Sequence, residues 1–311
     1  NLIVVMTSVL LMGVQSSLFS PAKYGLIRDV GGKERISFGT GAMEMLTFLG
    51  VLLGTFLAGI LADKDFFDLR LMGFAMVTAA VLGYFSAKMI RADESPVDEK
   101  SKLYWFPPSL RSLWNFIWEF FFVFYLWRGW RDANKMKGVN NAVLGLSVFW
   151  YIGSMLQMNI AFHSENFLEL TKKETGAIMS FAAIGIALGA LFVGWMSGKR
   201  VRLGYVFLGN LGLTISFALI YLLKPDTLVF TILIFSAAFF AGFYKIPLNA
   251  FIQDRVKGRQ LSDVLAYLNI AVFTFILVSA GLFDVLAKVS DDPSNFIFLS
   301  LIIVSAAMTI Y

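Results

Sequence analysis

Long apolar stretches recur along almost the whole chain, and they constrain its fold more than any other feature. Crossing a hydrocarbon core takes roughly 17–25 residues of helix. Runs of that order stand at about 1–20, 39–62, 69–90, 140–162, 175–197, 203–223, 227–252, 264–287 and 294–311. Lipid offers no partner for backbone N–H and C=O groups, so runs of this length are read as helices that satisfy themselves. The chain is 58% apolar and only 15% charged over 311 residues. Ordinary soluble domains carry about 25% charge, and this chain has too little polar surface to cover a soluble fold. The expected class is an all-α polytopic membrane protein.

Several kinds of chemistry are excluded by residue type alone. There is no cysteine, hence no disulfide, thiolate metal site or cysteine nucleophile. A single histidine, His163, is too few for a histidine-based metal centre, and it is expected at an outer rim beside Glu165, apart from transport. An acyltransferase His-x4-Asp pair would need an aspartate where Leu168 stands. No nucleophile elbow, phosphate loop or zinc helix motif occurs. Neither a cofactor nor enzymatic activity is expected of this chain.

The stretch 91–139 breaks the pattern. It is charged from Arg91 to Lys102, passes Pro107-Pro108, and then becomes aromatic from Trp114 to Trp127 around Glu119. Residues 113–127 are short for a span and rich in interface-seeking rings, so they read as a helix lying on the membrane surface. The basic residues support that reading. With 113–127 on the surface and the loop after the first run cytoplasmic, nineteen Lys and Arg fall inside and six outside, leaving only Lys245 within the membrane. Such a bias is what the positive-inside rule demands. The net charge of +5 therefore reports orientation and not nucleic-acid binding.

An internal repeat appears at an offset of 226 residues. Ser20-Pro-Ala-Lys-Tyr-Gly-Leu-Ile-Arg-Asp-Val30 lies over Ile246-Pro-Leu-Asn-Ala-Phe-Ile-Gln-Asp-Arg-Val256. Pro21 matches Pro247, Gly32 matches Gly258, and the pairs Arg28-Asp29 and Asp254-Arg255 correspond in reversed order. Parallel repeats about a long cytoplasmic linker are the layout of the major facilitator fold, whose two halves rock about a central site. The expected organisation is 1–90 as the end of an N-terminal helical half, 91–139 as the cytoplasmic linker, and 140–311 as the C-terminal half. Asn1-Leu2-Ile3-Val4-Val5 opens directly into an apolar run, and the last run reaches Tyr311 with no polar flank. Both ends are expected to interrupt helices, with the first three of twelve absent.

Four blocks carry a more specific resemblance: Ser20–Gly25; Gly41-Ala42-Met43-Glu44; Gly59-Ile60-Leu61-Ala62-Asp63; and Gly242–Ala250 followed by Gln253-Asp254-Arg255. Together they resemble the bacterial lysophospholipid transporter family. The resemblance implies a multi-pass protein of the bacterial inner membrane that moves lysophospholipids toward the cytoplasmic leaflet for reacylation. It also implies an acyltransferase or acyl-carrier-protein synthetase as partner or fused domain, with surrounding membrane lipids as the other contacts. Transport of another amphiphile or a drug in the same fold, or a scaffold for lipid-remodelling enzymes, are the alternatives. Two departures stand out. Ile270-Ala271-Val272-Phe273 replaces a charged segment, leaving Asn269, and Gly194–Arg202 is a degenerate cytoplasmic motif without its acidic residue.

Ionisable groups at mid-bilayer are costly and mark function. Lys245 lies ten residues before Arg255 and Glu44 nine after Arg35. At 1.5 Å per residue both sit roughly 14–15 Å below the same rim. They are expected to pair, or to hold the two ends of a zwitterionic headgroup, with Tyr244 and Asn249 close by on the helix of Lys245. Replacing Lys245 by Met keeps length and apolarity, and is expected to leave folding intact. Ser147, Tyr151, Ser154 and Gln157 recur along one helical face, and Ser8, Gln15 and Lys23 along another. The resemblance implies that these faces line the cavity, making Gln15, Tyr151 and Gln157 candidate substrate contacts. Lys23, Arg28, Asp29, Asp254 and Arg255 are the candidate gate. Gly50-x3-Gly54 is expected to pack helices.

Overall fold

The computed structural model describes residues 6–8, 11–12, 15, 19, 23–24, 26–27, 30–61, 69–90, 122–256, 259–289 and 292–310. Every regular element among them is helical. After a 3-10 turn at Lys33–Arg35 come α1 (Ile36–Leu61), α2 (Leu69–Lys88), α3 (Phe122–Asn134), α4 (Val139–Asn166), α5 (Lys172–Ser197), α6 (Gly204–Leu223), α7 (Thr227–Arg255), α8 (Arg259–Val289) and α9 (Pro293–Ile310). Six stretches among the described residues are long and apolar enough to cross a membrane, one in each of α1 and α4–α8. Gly73–Lys88 in α2 and Pro293–Thr309 in α9 are apolar but shorter. Most of the run at 1–20 lies outside the described residues.

Helix ends follow local chemistry. Thr171 caps α5: its hydroxyl accepts from the Glu174 N–H while the Glu174 carboxylate accepts from the Thr171 N–H at 2.8 Å. The Asp226 carboxylate caps α7 by accepting from the Val229 N–H at 2.9 Å. Pro293, whose missing N–H costs nothing in a first turn, opens α9. Lys224 and Asp292, from the two turns ahead of α7 and α9, meet in an exposed ion pair at 2.8 Å.

The surface helix expected at 113–127 falls largely outside the described residues. Residues 91–121 lie outside the described part, and the described helix α3 continues seven residues past 127, to Asn134. At 1.5 Å per residue the 13 described residues cover about 20 Å. The extension has a packing cause. Gly129 lies against the Tyr267 side chain of α8 so closely that a Cβ would collide with it, and Ala133 is fully buried. Trp127 and Trp130 remain exposed, with the Arg131 guanidinium 5.0 Å from the Trp127 ring centre.

Helices α4 and α6–α9 share one apolar core, with α7 in contact with α4, α5 and α6. Small residues bring backbones together, as expected where lipid removes the hydrophobic drive between helices. The pair that does so is not the expected one. Nothing stands within 4 Å of a Cβ built on Gly50 or Gly54, so among the described residues that motif packs against no helix. Instead Ser37 and Gly41 on α1 meet Ala190 and Gly194 on α5. A Cβ on Gly41 would run into the Ala190 carbonyl and lie 3.1 Å from Gly194 Cα, while one on Gly194 would lie 3.0 Å from the Ser37 oxygen. Gly242 on α7 abuts the Gly189-Ala190 backbone in the same way. This contact is confined to one end of α1: Ile36, Ser37, Thr40, Gly41 and Glu44 are buried, whereas Leu46, Leu49, Val51 and Leu53 are exposed.

Candidate functional site

The buried stretch of α1 ends on Glu44, and facing it is Lys245 of α7. Lys245 Nζ lies 2.9 Å from Glu44 Oε2, and the two residues are 4% and 2% exposed. Such burial of an ion pair requires that the remaining lone pairs and protons find partners. The Tyr24 hydroxyl donates to Glu44 Oε1 at 2.6 Å. Around the ammonium stand the rings of Trp150 at 4.9 Å, Phe48 at 5.3 Å and Phe149 at 5.5 Å, a cation–π enclosure drawn from α1 and α4. Pro247, two residues past the lysine, removes the N–H that would bond to the Phe243 carbonyl, so the helix is weakest beside its charge.

From the helical residues before α1, Tyr24 reaches the pair and Lys23 reaches Thr47 beside it. Ile27 of that segment is buried against Gly39, whose added Cβ would be 2.7 Å from the Ile27 Cγ2. Lys23 Nζ donates to the Thr47 hydroxyl at 2.6 Å, and Thr47 donates in turn to the Met43 carbonyl at 2.7 Å. Toward the near end of α1, the Thr40 hydroxyl and the Gln253 side-chain oxygen are 3.5 Å apart, and Glu34 forms an exposed ion pair with Lys199 at 2.9 Å. Glu34, Ser37, Gly41 and Glu44 thus form a stripe at helical spacing along which α1 meets α5 and α7.

The remaining candidates are dispersed. Tyr244 turns away from the pair: its hydroxyl donates to the Gly145 carbonyl at 3.0 Å and its ring stacks on Phe149. Asn249 is buried one turn beyond Lys245, Tyr151 is in the apolar core, and Gln157 and Gln15 are exposed. Ser154 accepts from the Ser279 hydroxyl at 2.9 Å, which ties α4 to α8, and Ser147 donates to its own helix at Val143. Arg28 and Asp29 lie outside the described residues. Asp254 is half-buried, and Arg255 lies over the Phe251 ring at 5.3 Å; neither forms an ion pair among the described residues. His163 is thirteen residues along α4 from Trp150, about 20 Å away at helical rise. Its Nδ1 is 2.8 Å from the Ser294 hydroxyl, among the rings of Phe167, Phe230 and Phe298.

Short of Val256, the described residues of both copies of the internal repeat are in helical backbone. The described residues of 23–31 are helical and stop at Gly32, with φ of 65°, and the second copy runs helically through Pro247 to Arg255. The family model of the Major Facilitator Superfamily matches residues 1–281. The chain belongs to that superfamily. It is similar to the lysophospholipid transporter LplT of Yersinia enterocolitica, 27% identical over 285 residues that make up 89% of this chain and 64% of the relative. The corresponding proteins of Yersinia pestis and Yersinia pseudotuberculosis are 26% identical over the same shares. The chain therefore spans a little under two thirds of the curated relatives it matches. As a Major Facilitator protein with these helices it is a multi-pass membrane protein.

Proposed function

We propose that the protein is a secondary transporter of the bacterial inner membrane that moves lysophospholipids toward the cytoplasmic leaflet, where an acyltransferase, separate or fused, restores the second chain. The observation that carries this reading is the Glu44–Lys245 pair, an ammonium and a carboxylate shut between α1 and α7 and the only charged residues buried among the described ones. Charges are kept at such depth where function uses them. A lysophospholipid headgroup of the ethanolamine type carries one anion and one cation, so it can stand in for each member of the pair as α1 and α7 part. Similarity to proteins named lysophospholipid transporter supports the substrate class. The excess of basic residues at the Glu34–Lys199 end supports placing that end in the cytoplasm. The closed stripe from Glu34 to Glu44 then serves as the inner gate, to which we also assign Arg28, Asp29, Asp254 and Arg255. Asn249, Tyr244, Gln15, Tyr151 and Gln157 are proposed to complete the path between the halves.

The test is inward movement of labelled lysophosphatidylethanolamine in proteoliposomes. Protein-dependent movement is expected, with movement abolished by Glu44→Gln. A protein that moves other amphiphiles or drugs but no lysophospholipid points to the second reading. One that moves nothing, yet retains lipid-remodelling enzymes on the membrane, points to a scaffold.

A further inference from the structure

The site holds two lysines in different electrostatic situations. The charge of Lys245 is spent: it is cancelled by Glu44 at 2.9 Å and walled in by three aromatic rings. Lys23 is only half-buried, and its contacts among the described residues are with neutral groups, the Thr47 hydroxyl 2.6 Å away and the Tyr24 ring with its centre 5.5 Å away. Thr47 directs its own hydrogen to the Met43 carbonyl, so toward Lys23 it acts only as an acceptor. With Lys23, Lys245 and Glu44 all ionised, this cluster carries two positive charges and one negative. An uncompensated charge next to an apolar bundle is costly unless a counter-ion joins it. Thr47 is exposed, one turn past Glu44, in the part of α1 that leaves α5 and α7, so the Lys23 ammonium is reachable where the Lys245 ammonium is not.

We infer that Lys23 is the residue that receives the monoanionic phosphodiester of the substrate, and that Lys245 is the fixed partner of Glu44 and makes no first contact with phosphate. The inference rests on the lysophospholipid reading above and divides its site into an anion-receiving edge (Lys23, Thr47) and a buried tie (Glu44, Lys245, Tyr24). A single phosphodiester completes the charge balance; a neutral glyceride does not. The same anion could arrive on a lipid or on a soluble glycerophosphodiester, and the exposed apolar side chains of α1 beyond Thr47 favour the lipid.

The experiment measures equilibrium binding of lysophosphatidylglycerol, glycerophosphoglycerol and monoacylglycerol to the full chain in nanodiscs, together with the melting temperature of the empty protein. Lys23→Met should raise Kd for lysophosphatidylglycerol about tenfold or more, the loss expected for one charged hydrogen bond. Lys23→Arg should keep it near wild type. Lys23→Met should not lower the melting temperature of the empty protein and should leave monoacylglycerol binding unchanged. Lysophosphatidylglycerol binding retained at wild-type affinity in Lys23→Met overturns the assignment to Lys23 while leaving the lysophospholipid reading in place. Equal affinity for the soluble glycerophosphoglycerol overturns the lipid source. Absence of wild-type binding to any phosphate-bearing ligand overturns the functional reading, and this inference with it.

Discussion

Helix α1 presents two different surfaces along its length. From Ile36 to Glu44 it is pressed onto α5 and α7, with backbones in contact at Gly41 and Gly194, and it ends on a buried charge. From Leu46 onward it carries exposed leucines and valines, and its two glycines face nothing among the described residues. The same helix, with the same apolar composition, is a close-packed joint over about two and a half turns and a plain apolar surface afterwards. Hydrophobicity sets neither state, because lipid is as apolar as the bundle. The joint is made by small residues that admit close approach and by a charge pair that has no favourable alternative to its partner. Both features are reversible, which a switching interface requires.

Removing Lys245 should disturb this contrast most. Lys245→Met strands a buried carboxylate with only Tyr24 as donor among the described residues, and should cost roughly 3–5 kcal/mol in unfolding measurements. The sequence alone made this replacement look harmless; burial of Glu44 beside the lysine reverses that expectation. Adding Glu44→Gln should recover most of the loss, and a single variant as stable as wild type would mean that the pair does not form. Tyr24→Phe deletes one hydrogen bond to a charged group and should cost roughly 1.5–3 kcal/mol. A measured change near zero would leave the tyrosine outside the tie. Gly194→Ala forces the Ser37 backbone back from its contact and should cost on the order of 1 kcal/mol. Gly50→Ala and Gly54→Ala should be the smallest in effect. With open space around both, they should be neutral or stabilise by up to about 1 kcal/mol through helix propensity. A large loss at either would show a second joint farther along α1.

Much of this arrangement was legible before any coordinates. Apolar run length located the helices because a bilayer imposes that length. The common depth of Glu44 and Lys245 followed from counting helical rise back to Arg35 and Arg255. What surrounds the pair did not follow. Phe48, Phe149 and Trp150 are ordinary apolar positions until α4 is laid against α7, and Tyr24 looked like part of a motif, not a donor. Glycine spacing misled at Gly50 and Gly54, since a small-residue repeat permits close packing without naming a partner. The useful small pairs, Ser37 with Gly41 and Ala190 with Gly194, have the same spacing. The continuation of the linker helix past 127 was not legible, because the value of Gly129 and Ala133 appears only once α3 lies against α8.

The claim that the α1 joint opens during transport can be tested through one pair of positions. The chain has no cysteine, so Thr40→Cys/Gln253→Cys supplies the only two thiols, on side chains 3.5 Å apart in the joint. A short thiol crosslinker should join them readily in the empty protein. Lysophosphatidylethanolamine movement in proteoliposomes should stop on crosslinking and return when the link is cleaved by reductant. Transport at the unlinked rate in fully crosslinked protein would contradict the claim, because substrate would then pass without α1 leaving α7.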